Sequence, residues 1–175
     1  MRTFVPRPHG FTLLEAMIAL VVFSIGLLGL AGLMTVAVKT NHSSYLRTQA
    51  TFIAESMADR MRANTMGVWK NSYNDTDYPI TGSDPCANGT ACGYLNIATH
   101  DQLAFSTQLS DLLPNAAASI TCTPTAGAVT PNVLANPPYN GLCSMRITWD
   151  EARLDKDSSD TTGRTSQTFA WVFRP

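Results

Sequence analysis

The 175-residue sequence predicts an α+β fold in which one long N-terminal helix packs on a small antiparallel β-sheet. Three observations carry that expectation. Residues from about Thr12 to Asn64 read as a single helix. Its second half, after Lys39, bears an apolar stripe at three- and four-residue steps: Leu46, Ala50, Ile53, Ala54, Met57 and Met61, with Arg47, Glu55, Asp59 and Arg62 largely off it. Towards the C-terminus the pattern changes to period two, the mark of half-buried strands.

The first half of the helix belongs in hydrocarbon. A short basic leader, Met1–Gly10 with Arg2 and Arg7, precedes an apolar run in which the 23 residues from Ala16 to Val38 carry no charge. Roughly 20 residues at 1.5 Å each span a bilayer core. Glu15 stands just inside this run. An ionisable residue costs up to about 3 kcal/mol at mid-membrane and less near an interface, so Glu15 is a functional candidate. A cleavable secretory signal would have an apolar region of roughly 7–15 residues and then a small-x-small site. This run is longer, and no convincing site follows it. A plain signal anchor fits the length but leaves Gly10-Phe11 and Glu15 without a role.

Gly10-Phe11-Thr12-Leu13-Leu14-Glu15 resembles the class III signal of type IV pilins and pseudopilins. The resemblance implies cleavage after Gly10 by a prepilin peptidase, methylation of the new Phe11 amine, and retention of the apolar helix. Phe23–Leu33 and Ala54–Asn64 further resemble PilV-type minor pilins of type IV pili, with the I-type minor pseudopilins of type II secretion next nearest. The likeness covers about the first 65 residues strongly; beyond them only Ile147–Glu151 and the terminal strand are similar.

That family implies a pilin-like roll, no enzymatic activity and a place in priming pilus assembly, with adhesion and twitching motility as the outcome. Its partners would be other minor pilins and the major pilin through the N-terminal helix, prepilin peptidase, the inner-membrane assembly platform and, for a tip subunit, an adhesin. It also implies that the Glu15 carboxylate meets the Phe11 amine of a neighbouring subunit. Two opposite charges drawn together in a low-dielectric slab reward one axial register, so Glu15 would register subunits while apolar helix packing supplies adhesion.

The expected organisation is a leader (1–10), a membrane or filament-core half-helix (11–38), an amphipathic half-helix (39–66) and a head (67–175) completed by residues 39–66. Cytoplasmic retention of Arg2 and Arg7 puts the N-terminus inside a bacterial inner membrane and the head in the periplasm, and later at the pilus or cell surface. Gly26, Gly29 and Gly32 interrupt the membrane half, either for close helix packing or as a place to unwind when the subunit leaves the bilayer.

The head is polar and can bury only a small core, and such domains usually need staples. Its four cysteines, Cys86, Cys92, Cys122 and Cys143, are even in number and lie beyond the membrane segment, which points to two disulfides in an oxidising compartment. Of three possible pairings, Cys86–Cys92 would close a Gly/Asn loop and Cys122–Cys143 would tie two strands. A zinc site is the rival, but the Cys86–Cys92 spacing is wider than that of zinc knuckles. Residues 67–94 read as loop, and a short helix follows from His100 to Leu112, with Thr99 and Gln102 as a capping box and Pro114 beyond its end. Strands are expected at about Ala118–Thr123, Ser144–Glu151 and Thr165–Phe173, the last two joined by a polar hairpin loop, Arg153–Arg164.

Other chemistry is weakly represented. The three histidines, His9, His42 and His100, form no pair with metal-ligand spacing, and no phosphate loop or nucleophile elbow is present. Neither a metal nor another cofactor is expected. Asp155, Asp157, Ser159 and Asp160 make half of a calcium loop without its mid-loop glycine or closing glutamate. A net charge of −1, falling to −3 when Arg2 and Arg7 leave, argues against a nucleic-acid surface. Trp69, Tyr73, Tyr78 and Tyr94 gather around the loop region, either as loop anchors or as the sugar-binding surface of a pilus-tip adhesin module.

Overall fold

The computed structural model describes residues 10–87, 91–128, 132, 137–152 and 164–175. The chain divides into two compact units, Met1–His42 and Ser43–Pro175, and one helix, α1 (Leu13–Ala63), passes through the division. In the first unit every described residue from Gly10 to His42 is exposed.

The second unit is the head. After α1 come a one-turn helix α2 (Thr65–Trp69), a short strand β1 (Asp75–Tyr78), helix α3 (Tyr94–Leu112) and strands β2 (Ala117–Pro124), β3 (Gly141–Ala152) and β4 (Arg164–Phe173). The four strands form one antiparallel sheet in the order β1-β2-β3-β4. Together with the long helix this is the α+β, pilin-like arrangement the sequence predicts. The predicted stripe is buried: Leu46, Ala50, Ile53, Ala54, Met57 and Met61 join Ala58 in one core with Ile120, Met145, Ile147 and Trp149 of the sheet and with Phe105 and Leu109 of α3. Inward residues of β3 alternate with exposed Leu142, Ser144 and Arg146, so a one-residue slip would turn the core face to water.

Three features differ from the sequence reading. The segment read as loop, residues 67–94, contains most of α2 and all of β1. β1 reads Asp-Thr-Asp-Tyr and has no apolar alternation; it pairs with β2 through its main chain and buries only Tyr78. The sheet therefore has four described strands, not three. α3 begins at Tyr94, six residues before the expected start at His100. The face it buries includes Ala98, Asp101 and Ser106, small or polar residues that conceal helical periodicity. The Thr99–Gln102 capping box does not form: Thr99 Oγ1 donates back to the Leu95 carbonyl, and Gln102 Nε2 donates to the Ser72 carbonyl and the Tyr78 hydroxyl.

The hairpin loop Arg153–Arg164, apart from Arg164, and the half calcium loop Asp155–Asp160 lie outside the described residues. So does the leader up to His9.

Candidate assembly site

α1 starts two residues after Phe11. Thr12 precedes the helix, and its Oγ1 accepts from the Glu15 backbone N–H at 3.3 Å while its carbonyl accepts from Ala16 N–H. Thr12 thus caps the helix, and Glu15 stands at the Thr-x-x-Glu spacing of a capping box, of which the Thr12 half is formed. The first turn of a helix leaves N–H groups unpaired and carries partial positive charge, so it favours a carboxylate. Glu15 occupies that turn. The local role of Thr12 was missed in the sequence, although the four-residue spacing could have revealed it.

Beyond Glu15 the segment keeps its few polar groups to itself. The hydroxyls of Ser24, Thr35 and Thr40 donate to the carbonyls of Leu20, Gly32 and Val36 at 2.7, 2.7 and 3.0 Å. Such back-bonding satisfies them within the helix, which an apolar surrounding requires. What remains outward is hydrocarbon, including Phe11 at 79 % exposure and Leu13, Phe23, Leu28 and Leu33. The helix is long and apolar enough to cross a membrane, with none of its apolar window buried within the chain. At 100° per residue, Gly26 lies within about 20° and Gly29 within about 40° of Glu15 around the axis. A Cβ added at Gly26, Gly29 or Gly32 would meet nothing within 4 Å, so these glycines are not required by packing within the described chain.

Gly10, Phe11 and Glu15 share the first unit, and the four cysteines belong to the second. Cys86 is joined to Cys92 and Cys122 to Cys143, which leaves no free cysteine for a zinc site. Cys122 and Cys143 are directly opposite on β2 and β3, inside the core. Asp84 accepts from Cys86 N–H at 2.8 Å and sits 2.9 Å from His100 Nδ1. The Cys86 bond, aided by His100, holds the Asp84 carboxyl below its ordinary range. No group of three or more His, Cys, Asp or Glu that could hold a metal occurs among the described residues.

No pattern in the sequence signals the buried polar network of the head. Asp101, 5 % exposed, accepts from Arg60 Nη1 at 3.1 Å and from the Tyr73 hydroxyl at 2.7 Å. Asn64 donates to that hydroxyl at 2.9 Å and to the Tyr94 carbonyl at 2.8 Å. One carboxylate therefore ties α1, the turn after α2 and α3 together. Trp69, Tyr73 and Tyr78 are buried in this region and Tyr94 is half-buried, the placement of loop anchors, the first of the two readings.

The family profile described as the prokaryotic N-terminal methylation motif matches residues 6–31, covering Gly10, Phe11 and Glu15. The match supports a type IV pilin-like protein. That motif implies processing by prepilin peptidase and assembly with other pilins, and with the apolar helix it fits an inner-membrane-anchored pilin. No curated protein and no solved structure matches the chain.

Proposed function

We propose that this chain is a minor pilin that helps to prime a type IV pilus. Prepilin peptidase cleaves after Gly10, the Phe11 amine is methylated, and the α1 apolar half holds the subunit in the inner membrane with its head in the periplasm. The subunit then enters the pilus with other minor pilins and the major pilin through the assembly platform, in support of adhesion and twitching motility. The observation that carries this reading is the lone carboxylate in the first turn of α1, ahead of the exposed and uncharged residues Ala16–Val38. An isolated carboxylate entering hydrocarbon is stabilised by protonation or by a nearby cation, and the Phe11 amine of an adjacent subunit is such a cation. Apolar packing of neighbouring helices supplies adhesion, and the charge pair selects the axial register.

Glu15→Leu tests the mechanism. The variant should insert in membranes at the wild-type level, by fractionation, and be absent from sheared pili. Wild-type incorporation of Glu15→Leu would contradict the pairing role. A pseudopilin of type II secretion shares the motif, and the likeness of Met57–Asn64 to minor pilins favours the pilus. Deleting the gene should reduce surface pili and leave secretion intact.

A further inference from the structure

The two edges of the sheet are built differently. β1 has four residues, carries Asp75 and Asp77, shifts register against β2 between Asp75 and Tyr78, and runs into Pro79. Shortness, charge, irregular register and proline are the devices that keep an edge from pairing with another chain. β4 lacks all four. Its ten residues contain no proline and a single charge, Arg164 at its start, and they pair with β3 in unbroken register from Arg164 to Phe173. Among the described residues β4 has a strand on its β3 side alone. Half of its backbone N–H and C=O groups therefore point away from the sheet without a ladder partner.

The inward face points the same way. Met145, Ile147 and Trp149 of β3 are buried, but the residues directly across on β4, Trp171, Phe169 and Gln167, are only half-buried. Trp171 stacks on Phe173 at 4.7 Å, and both Phe169 and Trp171 pack on the core from its margin. Apolar side chains of one more strand would lie beside them and complete their burial.

We infer that β4 receives an extended segment of a partner protein as a fifth strand, one with alternate apolar residues and acidic ends. The charge follows from Arg164 and Arg174, which bracket the strand and are exposed. Arg164 has Asp150 at 3.9 Å, and Arg174 has no acidic partner among the described residues. A second copy fits less well, because the two-fold pairing that sets Phe169 opposite itself also sets Arg164 opposite Arg174 at both ends, and like charges across strands repel. Strand addition of this kind draws affinity from main-chain hydrogen bonds and specificity from alternate side chains. The inference rests on the head's own sheet and does not depend on the pilus reading.

The test uses the full chain in detergent micelles and a synthetic peptide of β4's length, alternating valine and threonine with aspartate at both ends. Amide exchange should slow about tenfold or more at every second residue of β4. Tryptophan emission should shift to the blue, since Trp171 is the half-exposed one of three. Methylating two adjacent central peptide nitrogens, which blocks both edges of the peptide, should weaken binding about tenfold or more. The chain carrying Arg164→Glu and Arg174→Glu should prefer a lysine-ended peptide. Unchanged binding of the methylated peptide, or no slowing at β4, would overturn the inference. So would β4 amides already protected at every second outward position without peptide, the mark of a second copy or another segment in place.

Discussion

Asp101 is a carboxylate taken almost wholly out of water, and it is tolerable there because both oxygens are used. Asp101→Ala would leave the Arg60 guanidinium and the Tyr73 hydroxyl without this acceptor. A loss of about 1–3 kcal/mol is expected, toward the low end for the Arg60 contact because that side chain is about one-third exposed. Asp101→Asn keeps one acceptor and should cost less. Urea unfolding of the full chain in micelles, followed by near-UV circular dichroism, would show that ranking; equal stability of all three proteins would refute it.

The same network gives a pH signature. Burial, reinforced by the bond to Asp101, pushes ionisation of Tyr73 well above its ordinary value near 10, and burial pushes Tyr78 up too despite its bond from Gln102. The folded head therefore holds two protons that unfolded tyrosines release at about pH 10. Stability from this source is intact below about pH 10 and falls as pH rises above it. Tyr73 and Tyr78 should ionise together with loss of near-UV dichroism during alkaline titration, and ionisation of both in a still-folded head would count against the network. Glu15 could be found in the sequence because it is the lone charge among apolar neighbours. Asp101 could not, since a charged residue in a polar stretch ordinarily faces water.

At the scale of elements, backbone approach decides where change is tolerated. Gly141 opens β3 opposite Pro124. A Cβ there would collide with the Thr123 carbonyl oxygen and come within 2.7 Å of Pro124 Cα and of the Tyr139 ring. Backbone atoms cannot swing aside as a flexible side chain can, so Gly141→Ala should destabilise the head by about 1–3 kcal/mol. Gly82→Ala, whose added carbon meets only Leu103 Cδ2 at an ordinary 3.8 Å, should stay within about 0.5 kcal/mol of wild type. Equal midpoints in thermal melts of the two variants would contradict this.

The elements the sequence revealed are those in which side-chain pattern and burial agree. The α1 stripe and the alternation of β3 and β4 are of that kind. β1 is held by main-chain pairing, α2 by Asn64 accepting from Gly67 N–H, and the first turns of α3 follow Gly93 with no side-chain cap. None of these leaves a periodic trace, so the sequence pattern shows loop at β1 and α2 and a late start for α3.

At the scale of the molecule, the two units answer to different surroundings. The head buries its own core and staples it at Cys122–Cys143. Among its described residues the N-terminal unit buries nothing, and under the proposed function its apolar surface is covered by lipid first and by neighbouring helices afterwards. The composition marks out the apolar part of the first unit, because 23 uncharged residues cannot belong to so polar a head, but not the boundary itself, which lies between His42 and Ser43. Assembly through a Phe11 amine freed by processing is read most directly at the first residue of the mature protein. N-terminal mass spectrometry of the chain recovered from membranes and from sheared pili should find it beginning at Phe11 with one methyl group on its amine. A chain in the pili that still begins at Met1, or one cut beyond Glu15, would contradict the account.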